Sequence, residues 1–127
     1  MIVATDARLA AERRGRFAET LCVWSLRLRG WRILARRLAG RRGSGVGEID
    51  IVARRGRVLA FIEVKARSSE AAALEAVGDA QRARIARAAE IYIARLADTD
   101  ACEVRFDVMT VSGWVPFHLA DAWRPGH

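Results

Sequence analysis

A chain of 127 residues with 52% hydrophobic side chains is large and apolar enough for one folded domain with a real core, which excludes a wholly disordered polypeptide. Its formal net charge of +7 and pI of about 11.1 point to a phosphate-bearing partner, nucleic acid before a membrane surface. No apolar run reaches the roughly 18 residues of a membrane span, and the opening MIVATDARLAAERR has no signal-peptide core. With only Cys22 and Cys102, neither a disulfide scaffold nor a four-cysteine zinc site can form. The expectation is a single cytoplasmic domain over residues 1–127 that meets DNA and no membrane.

Thr5 and Asp6 offer an N-cap for a helix over residues 6–28, which Gly30 ends. Phe17, Leu21, Trp24 and Leu28 fall on one apolar face of it, while Glu12, Glu19, Cys22 and Leu26 form a second, mixed face. WRILARRL (31–38) predicts a first strand, and AGRRGSGVG (39–47) a flexible glycine/arginine loop. EIDIVAR (48–54) and VLAFIEVKA (58–66) predict two strands joined through Arg55-Gly56. Their apolar residues occupy both faces, as in a central sheet covered by helices. A second helix is expected over 79–97, with Ile85, Ala88, Ala89, Tyr92 and Leu96 inward and Arg84, Arg87 and Arg95 outward. CEVRFDVMTV (102–111) and WVPFHL (114–119) predict a closing hairpin through Ser112-Gly113. The order α-β-β-β-α-β-β implies an α/β sandwich around a central mixed β-sheet flanked by helices.

Of the 22 basic side chains only Lys65 is a lysine. Where charge alone is wanted this chain uses arginine; a compact ammonium with a movable pKa is what arginine does not supply. Side chains alternate along a strand, so Glu48 and Asp50 share a face, as do Glu63 and Lys65. A turn at Arg55-Gly56 sets Glu48 opposite Glu63 and makes Asp50 its diagonal neighbour, roughly 7–8 Å away at the backbone. Clustered carboxylates repel one another and resist burial unless a cation neutralises them. All-oxygen donors suit Mg²⁺ first and Mn²⁺ second. Such an ion polarises phosphate, and Lys65 would then orient the attacking water or stabilise charge on phosphorus. The plain alternative is a cross-strand salt-bridge ladder.

Asp50, a hairpin and then Glu63-Val64-Lys65 resemble the acid…acid-x-lysine motif of the restriction-endonuclease-like superfamily, whose core runs α-β-β-β-α-β. The Asp50-to-Glu63 step is similar to that of archaeal Holliday-junction resolvases. More specifically, GEIDIV (47–52), FIEVKAR (61–67) and RFDVMTV (105–111), with GRFAETLCVWSLRLRGWRIL (15–34), resemble the YraN-like family of predicted bacterial endonucleases. The resemblance implies Asp50 and Glu63 as metal ligands, Lys65 as the catalytic lysine, Glu19 as a first-helix acid joining the metal site, and Gln81 as a polar active-site residue. Read from the residues alone, a solvated helix glutamate at Glu19 and a helix-start capping or packing role for Gln81 stand as the alternatives. Glu48 is a third ligand or a partner for Lys65 or Arg67.

Arg36, Arg37, Arg41 and Arg42, with Arg54, Arg55 and Arg57, flank two loops and would hold a phosphate backbone without reading its sequence. Arg67 would clamp a phosphate. Asp107 reads as structural, His118 as a lone histidine with no partners that suggest metal binding or nucleophile activation, Cys22 as a small core residue, and the four tryptophans as too dispersed for a stacking platform. The function expected is a metal-dependent DNA endonuclease hydrolysing phosphodiester bonds, with branched or structured DNA as candidate substrate. The alternative is a catalytically quiet nuclease-fold module that binds DNA within a repair or recombination complex. A homodimer and a repair or recombination partner are expectations of the same kind.

Overall fold

The opening segment is rich in alanine, arginine and leucine, all strong helix formers, and folds as α1 (Ile2–Leu28). The computed structural model describes residues 2–39, 46–66, 78–96 and 103–126, without side-chain detail for 2–5, 8, 11 and 12. Five strands follow α1: β1 (Arg32–Leu38), β2 (Ile49–Arg55), β3 (Val58–Lys65), β4 (Glu103–Ser112) and β5 (Val115–Trp123). The second helix, α2 (Asp79–Arg95), stands between β3 and β4. Most of the expected 39–47 loop lies outside the described residues. Among those described, no helix is long and apolar enough to cross a membrane.

The sheet runs in the order β1-β2-β3-β4-β5. Its β3–β4 pairing is parallel and the other three are antiparallel, so the sheet is mixed as expected. Parallel neighbours require a crossover, and α2 lies in that connection. It covers one face with Ile85, Ala88 and Ala89 against Val52, Leu59, Phe61, Phe106 and Val108. On the other face α1 lays Ala18, Cys22, Val23 and Leu26 over Ile51, Ala60, Ile62 and Met109. Buried on both faces, β2 and β3 have the near-continuous apolar runs that such strands need. The chain is thus an α/β sandwich of five strands and two helices, consistent with a restriction-endonuclease-like fold.

The apolar face expected of α1 is corrected by the structure. Phe17, Trp24 and Leu28 are exposed, and the covering face is the one carrying Ala18, Glu19, Cys22, Val23 and Leu26. Small and branched side chains let the helix lie close to the sheet, and Glu19 finds cationic partners at the sheet edge. Helical periodicity alone weighs neither factor.

Both hairpins are also shifted by one residue from expectation. Gly56-Arg57 and Gly113-Trp114 form the turns, so Arg55 faces Val58 and Ser112 faces Val115. In each turn glycine takes the first central position at positive φ, +59° and +61°, where hairpin turns favour it. This places Ile51 opposite Ile62 and sets aside the expected pairing of Glu48 with Glu63.

Candidate active site

The carboxylates come together where two strands part. The β2–β3 ladder ends at Ile51–Ile62. Ile49 packs on the α2 side and Ile51 on the α1 side although they are two residues apart, so strand alternation breaks at Asp50. Asp50 therefore reaches β3 with its side chain. Its Oδ2 accepts a 2.8 Å hydrogen bond from the N–H of Val64, the residue between Glu63 and Lys65. Glu63 is buried, and its Oε1 accepts a 3.3 Å hydrogen bond from Gln81 Nε2 at the start of α2. The same oxygen meets the Lys65 ammonium at 3.2 Å. Gln81, Glu63 and Lys65 thus form one linked group.

A second arrangement stands beside it. Glu19, 6% exposed on α1, is bonded through its two oxygens to Arg36 Nε at 3.0 Å and Arg37 Nε at 3.2 Å. Consecutive strand residues ordinarily point to opposite faces. Here Arg37 has a φ of +52°, rare for a non-glycine residue, and both guanidiniums reach the same carboxylate. Arg37 lies between Arg36 and Leu38, the partners of Ile51 and Ile49, and so stands level with Asp50. A cleft of about 470 Å³ is lined by Arg16, Glu19, Arg37, Glu48, Asp50 and Val64.

Burial and mutual repulsion make these acids unusually weak. Burial raises the Asp50 pKa from 3.8 to about 6, the Val64 hydrogen bond opposes it, and the charges of Glu48 and Glu19 add to the rise. Burial, then Asp50, raises Glu63 from 4.5 to about 7 against the pull of Lys65. Burial first, then Asp50 and Glu19, pushes the neighbouring Cys22 thiol up to about 12, which makes it an inert core group. Because both carboxyls have folded pKa values above their unfolded ones, their contribution to stability is largest below pH ~4 and is lost as pH rises through about 6 to 7. Asp50→Asn keeps an acceptor for Val64 and removes this penalty. Without divalent ions, its unfolding free energy from urea titration at pH 8 is expected to exceed that of wild type by about 1–3 kcal/mol, with the gap closing near pH 4. A variant no more stable than wild type at pH 8 contradicts that electrostatic picture.

The chain matches the model of "Uncharacterised protein family UPF0102" over residues 18–111, well over half its length. It is 50% identical over 119 residues to a UPF0102 protein of Paramagnetospirillum magneticum, covering 93% of this chain and 92% of that one. It is also 45% identical over 120 residues to a UPF0102 protein of Rhizorhabdus wittichii, covering 94% and 98%. The chain belongs to the UPF0102 family. This is the YraN-like family that GEIDIV and FIEVKAR resemble. UPF0102 membership by itself assigns no chemistry; what the chain can do is set by its residues.

Within this UPF0102 chain, Asp50, Glu63, Lys65, Gln81, Glu48 and Glu19 all gather at one end of the sheet. Glu48 is exposed, and its charge reaches both Asp50 and Glu63. Among the described residues no three His, Cys, Asp or Glu side chains group closely enough to hold a metal ion by themselves. Arg36 and Arg37 are engaged by Glu19 while their side chains stay 39% and 45% exposed. Arg41, Arg42 and Arg67 lie outside the described residues. Arg54, Arg55 and Arg57 sit at the turn end of β2–β3, some 20–25 Å along β3 from Lys65, and do not flank the site.

Two features escaped the sequence. Arg16 lines the acidic cleft, although nothing in its spacing sets it apart from other arginines. The structure gives His118 a structural partner: its Nε2 lies 2.6 Å from Oδ2 of the fully buried Asp107. The adjacent β4 and β5 bring these two together, a pairing that linear separation hides.

Proposed function

We propose that this chain is a metal-dependent DNA endonuclease that hydrolyses phosphodiester bonds, with branched or structured DNA as its substrate class. The observation that carries the reading is the convergence of Asp50, Glu63 and Lys65 on one strand end, with both acids weakened by burial. A fold tolerates buried, mutually repelling carboxylates when a cation relieves them. Two carboxylates suit a hard ion that keeps part of its water shell and completes its coordination with substrate phosphate, Mg²⁺ first and Mn²⁺ second. Asp50 and Glu63 would hold it, and when bound it would supply Lewis acidity at the scissile phosphate.

The remaining roles belong to the chain itself. Lys65, tethered to Glu63 at 3.2 Å, presents an ammonium to the attacking water or to the charge that grows on the phosphoryl oxygens. Gln81 bonds Glu63 from α2 and fixes the carboxylate's direction. Glu19, held by two guanidiniums, sets the position of Arg37 in the cleft and of Arg36 at the same sheet edge, where their exposed guanidiniums would meet the DNA backbone.

One observation favours a second reading, a nuclease-fold module that binds DNA without cutting it: the described residues offer no ready-made group of three metal-ligating side chains. Incubation of the full chain with four-way, single-stranded and duplex DNA, in Mg²⁺, Mn²⁺ or chelator, separates the two. Cleavage that requires the ion supports the nuclease. Binding that survives chelation and Asp50→Ala, with every substrate left intact, supports the module.

A further inference from the structure

The surface that α1 turns away from the sheet is unusually rich in aromatic rings. Phe17 is 42% exposed, Trp24 57%, and Trp114, in the turn between β4 and β5, 75%. Phe17 and Trp114 meet edge to face with centroids 4.8 Å apart and planes at 89°. Rings from the two ends of the chain, too dispersed in the sequence to form a platform, thus become one feature. Packing does not account for it, since both rings keep much of their surface in water.

Position and charge indicate what would cover these rings. Beside them opens a cleft of about 330 Å³ lined by Arg14, Phe17, Ala18, Ala66, Val111 and Ser112, together with Gly113. Ala66 follows Lys65 directly, and Val111 follows Thr110, the register partner of Lys65. The cleft therefore lies at the same end of the sheet as the carboxylates. Val64 lines the acidic cleft on one side of Lys65, and Ala66 lines this one on the other. One strand spacing, about 4.8 Å, separates β3 from β4. Among the described residues the only charged side chain lining the cleft is Arg14, and Arg13 and Arg16 are exposed on the same stretch of helix. A second copy of a +7 chain would bring like charge to this surface. A polyanion with flat apolar groups meets both demands, because its bases stack on rings and its phosphates pair with guanidiniums.

In an intact duplex the base faces are stacked on one another, so exposed rings have none to receive. We propose that the Phe17–Trp114 pair is a stacking platform for an unpaired base, flanked by Arg14. It selects nucleic acid with a single-stranded segment over uninterrupted duplex. The inference deepens the proposed nuclease reading and rests on it for the site that the strand would enter, whereas its test reads binding alone.

The test measures fluorescence anisotropy of a labelled oligothymidine and of a blunt duplex of equal length, with the full chain and no divalent ion. Trp114→Ala is expected to weaken oligothymidine binding about 5- to 150-fold and leave duplex binding unchanged, with Trp114→Phe close to wild type. Phe17→Ala should shift binding in the same direction. Equal losses on both ligands, or no loss on either, overturn the platform. So does a change of oligomeric state in Trp114→Ala with DNA binding intact, which would assign the patch to a second copy. A turn residue this exposed leaves folding intact, and a matching thermal melt checks it. Trp114-dependent single-strand binding by a chain that cleaves nothing in either Mg²⁺ or Mn²⁺ would sink the nuclease reading alone. Cleavage with no Trp114 dependence in either assay would sink the platform alone.

Discussion

Glu63→Gln and Lys65→Ala are each expected to lower Mg²⁺-supported DNA cleavage by at least about a hundredfold, the usual effect of removing a group that meets developing charge in a closed site. Glu63→Gln keeps the shape of the side chain but withdraws its negative charge from the ion. Lys65→Ala removes the cation at 3.2 Å from Glu63 and leaves that buried carboxylate less compensated. Lys65→Arg should not rescue activity, since a planar guanidinium reproduces neither the size nor the proton chemistry of an ammonium. What distinguishes this from simple misfolding is the sign of the stability change. Neutralising a carboxyl whose pKa is raised to about 7 should leave Glu63→Gln at least as stable as wild type at pH 8. An inactive variant that also melts well below wild type points to structural damage, and an active one removes Glu63 from the chemistry.

Asp107→Ala is expected to cost about 3–5 kcal/mol, the range for stripping one partner from a buried charge network. Asp107 has no exposed surface. Its Oδ1 accepts from Arg105 Nε at 2.9 Å and from the Asp121 N–H at 2.8 Å. Its Oδ2 meets Arg105 Nη2 at 2.8 Å and His118 Nε2 at 2.6 Å. Burial alone would push this carboxyl up, but the hydrogen bonds from His118, Arg105 and Asp121 outweigh it and hold the pKa below the ordinary range. A lowered folded pKa contributes stability that is present above the unfolded value near 3.9 and lost as pH falls through the folded one. The group thus acts in the opposite sense to Asp50. Asp107→Asn, which retains an acceptor, should lose less than the alanine variant. An unfolding free energy for Asp107→Ala, from urea titration, within about 1 kcal/mol of wild type would show that the network adds little. The same carboxylate explains why β5 runs to Trp123 and past the expected end at Leu119. Where the β4–β5 register shifts between Phe106 and Val108, Asp107 bonds the backbone of Asp121, which sits at a φ of +52°.

Much of the architecture was legible because it depends on short-range pattern. Apolar runs on both faces of residues 49–53 and 59–62 identified covered central strands. Glycines punctuated the turns, and the inward face of α2 followed from a 3.6-residue period. The candidate site was legible for a different reason: GEID and EVK sit on adjacent strands joined by a tight hairpin, so sequence proximity is nearly spatial proximity. Where the reading failed, a long-range partner decided the outcome. Phe17 and Trp24 are the bulkier apolar groups of α1, yet Cys22 and Val23 face the sheet. Likewise Asp107 and His118 meet only through neighbouring strands.

The amino-acid order by itself determined the succession of helices and strands, the mixed sheet and the strand end at which Asp50, Glu63 and Lys65 meet, because backbone periodicity and turn chemistry act over a few residues. Only the tertiary structure decided which side of α1 is covered, how Arg36 and Arg37 share Glu19, and that Phe17 and Trp114 form one surface. Burial and charge pairing are properties of neighbours in space, and those neighbours exist only once the chain has folded.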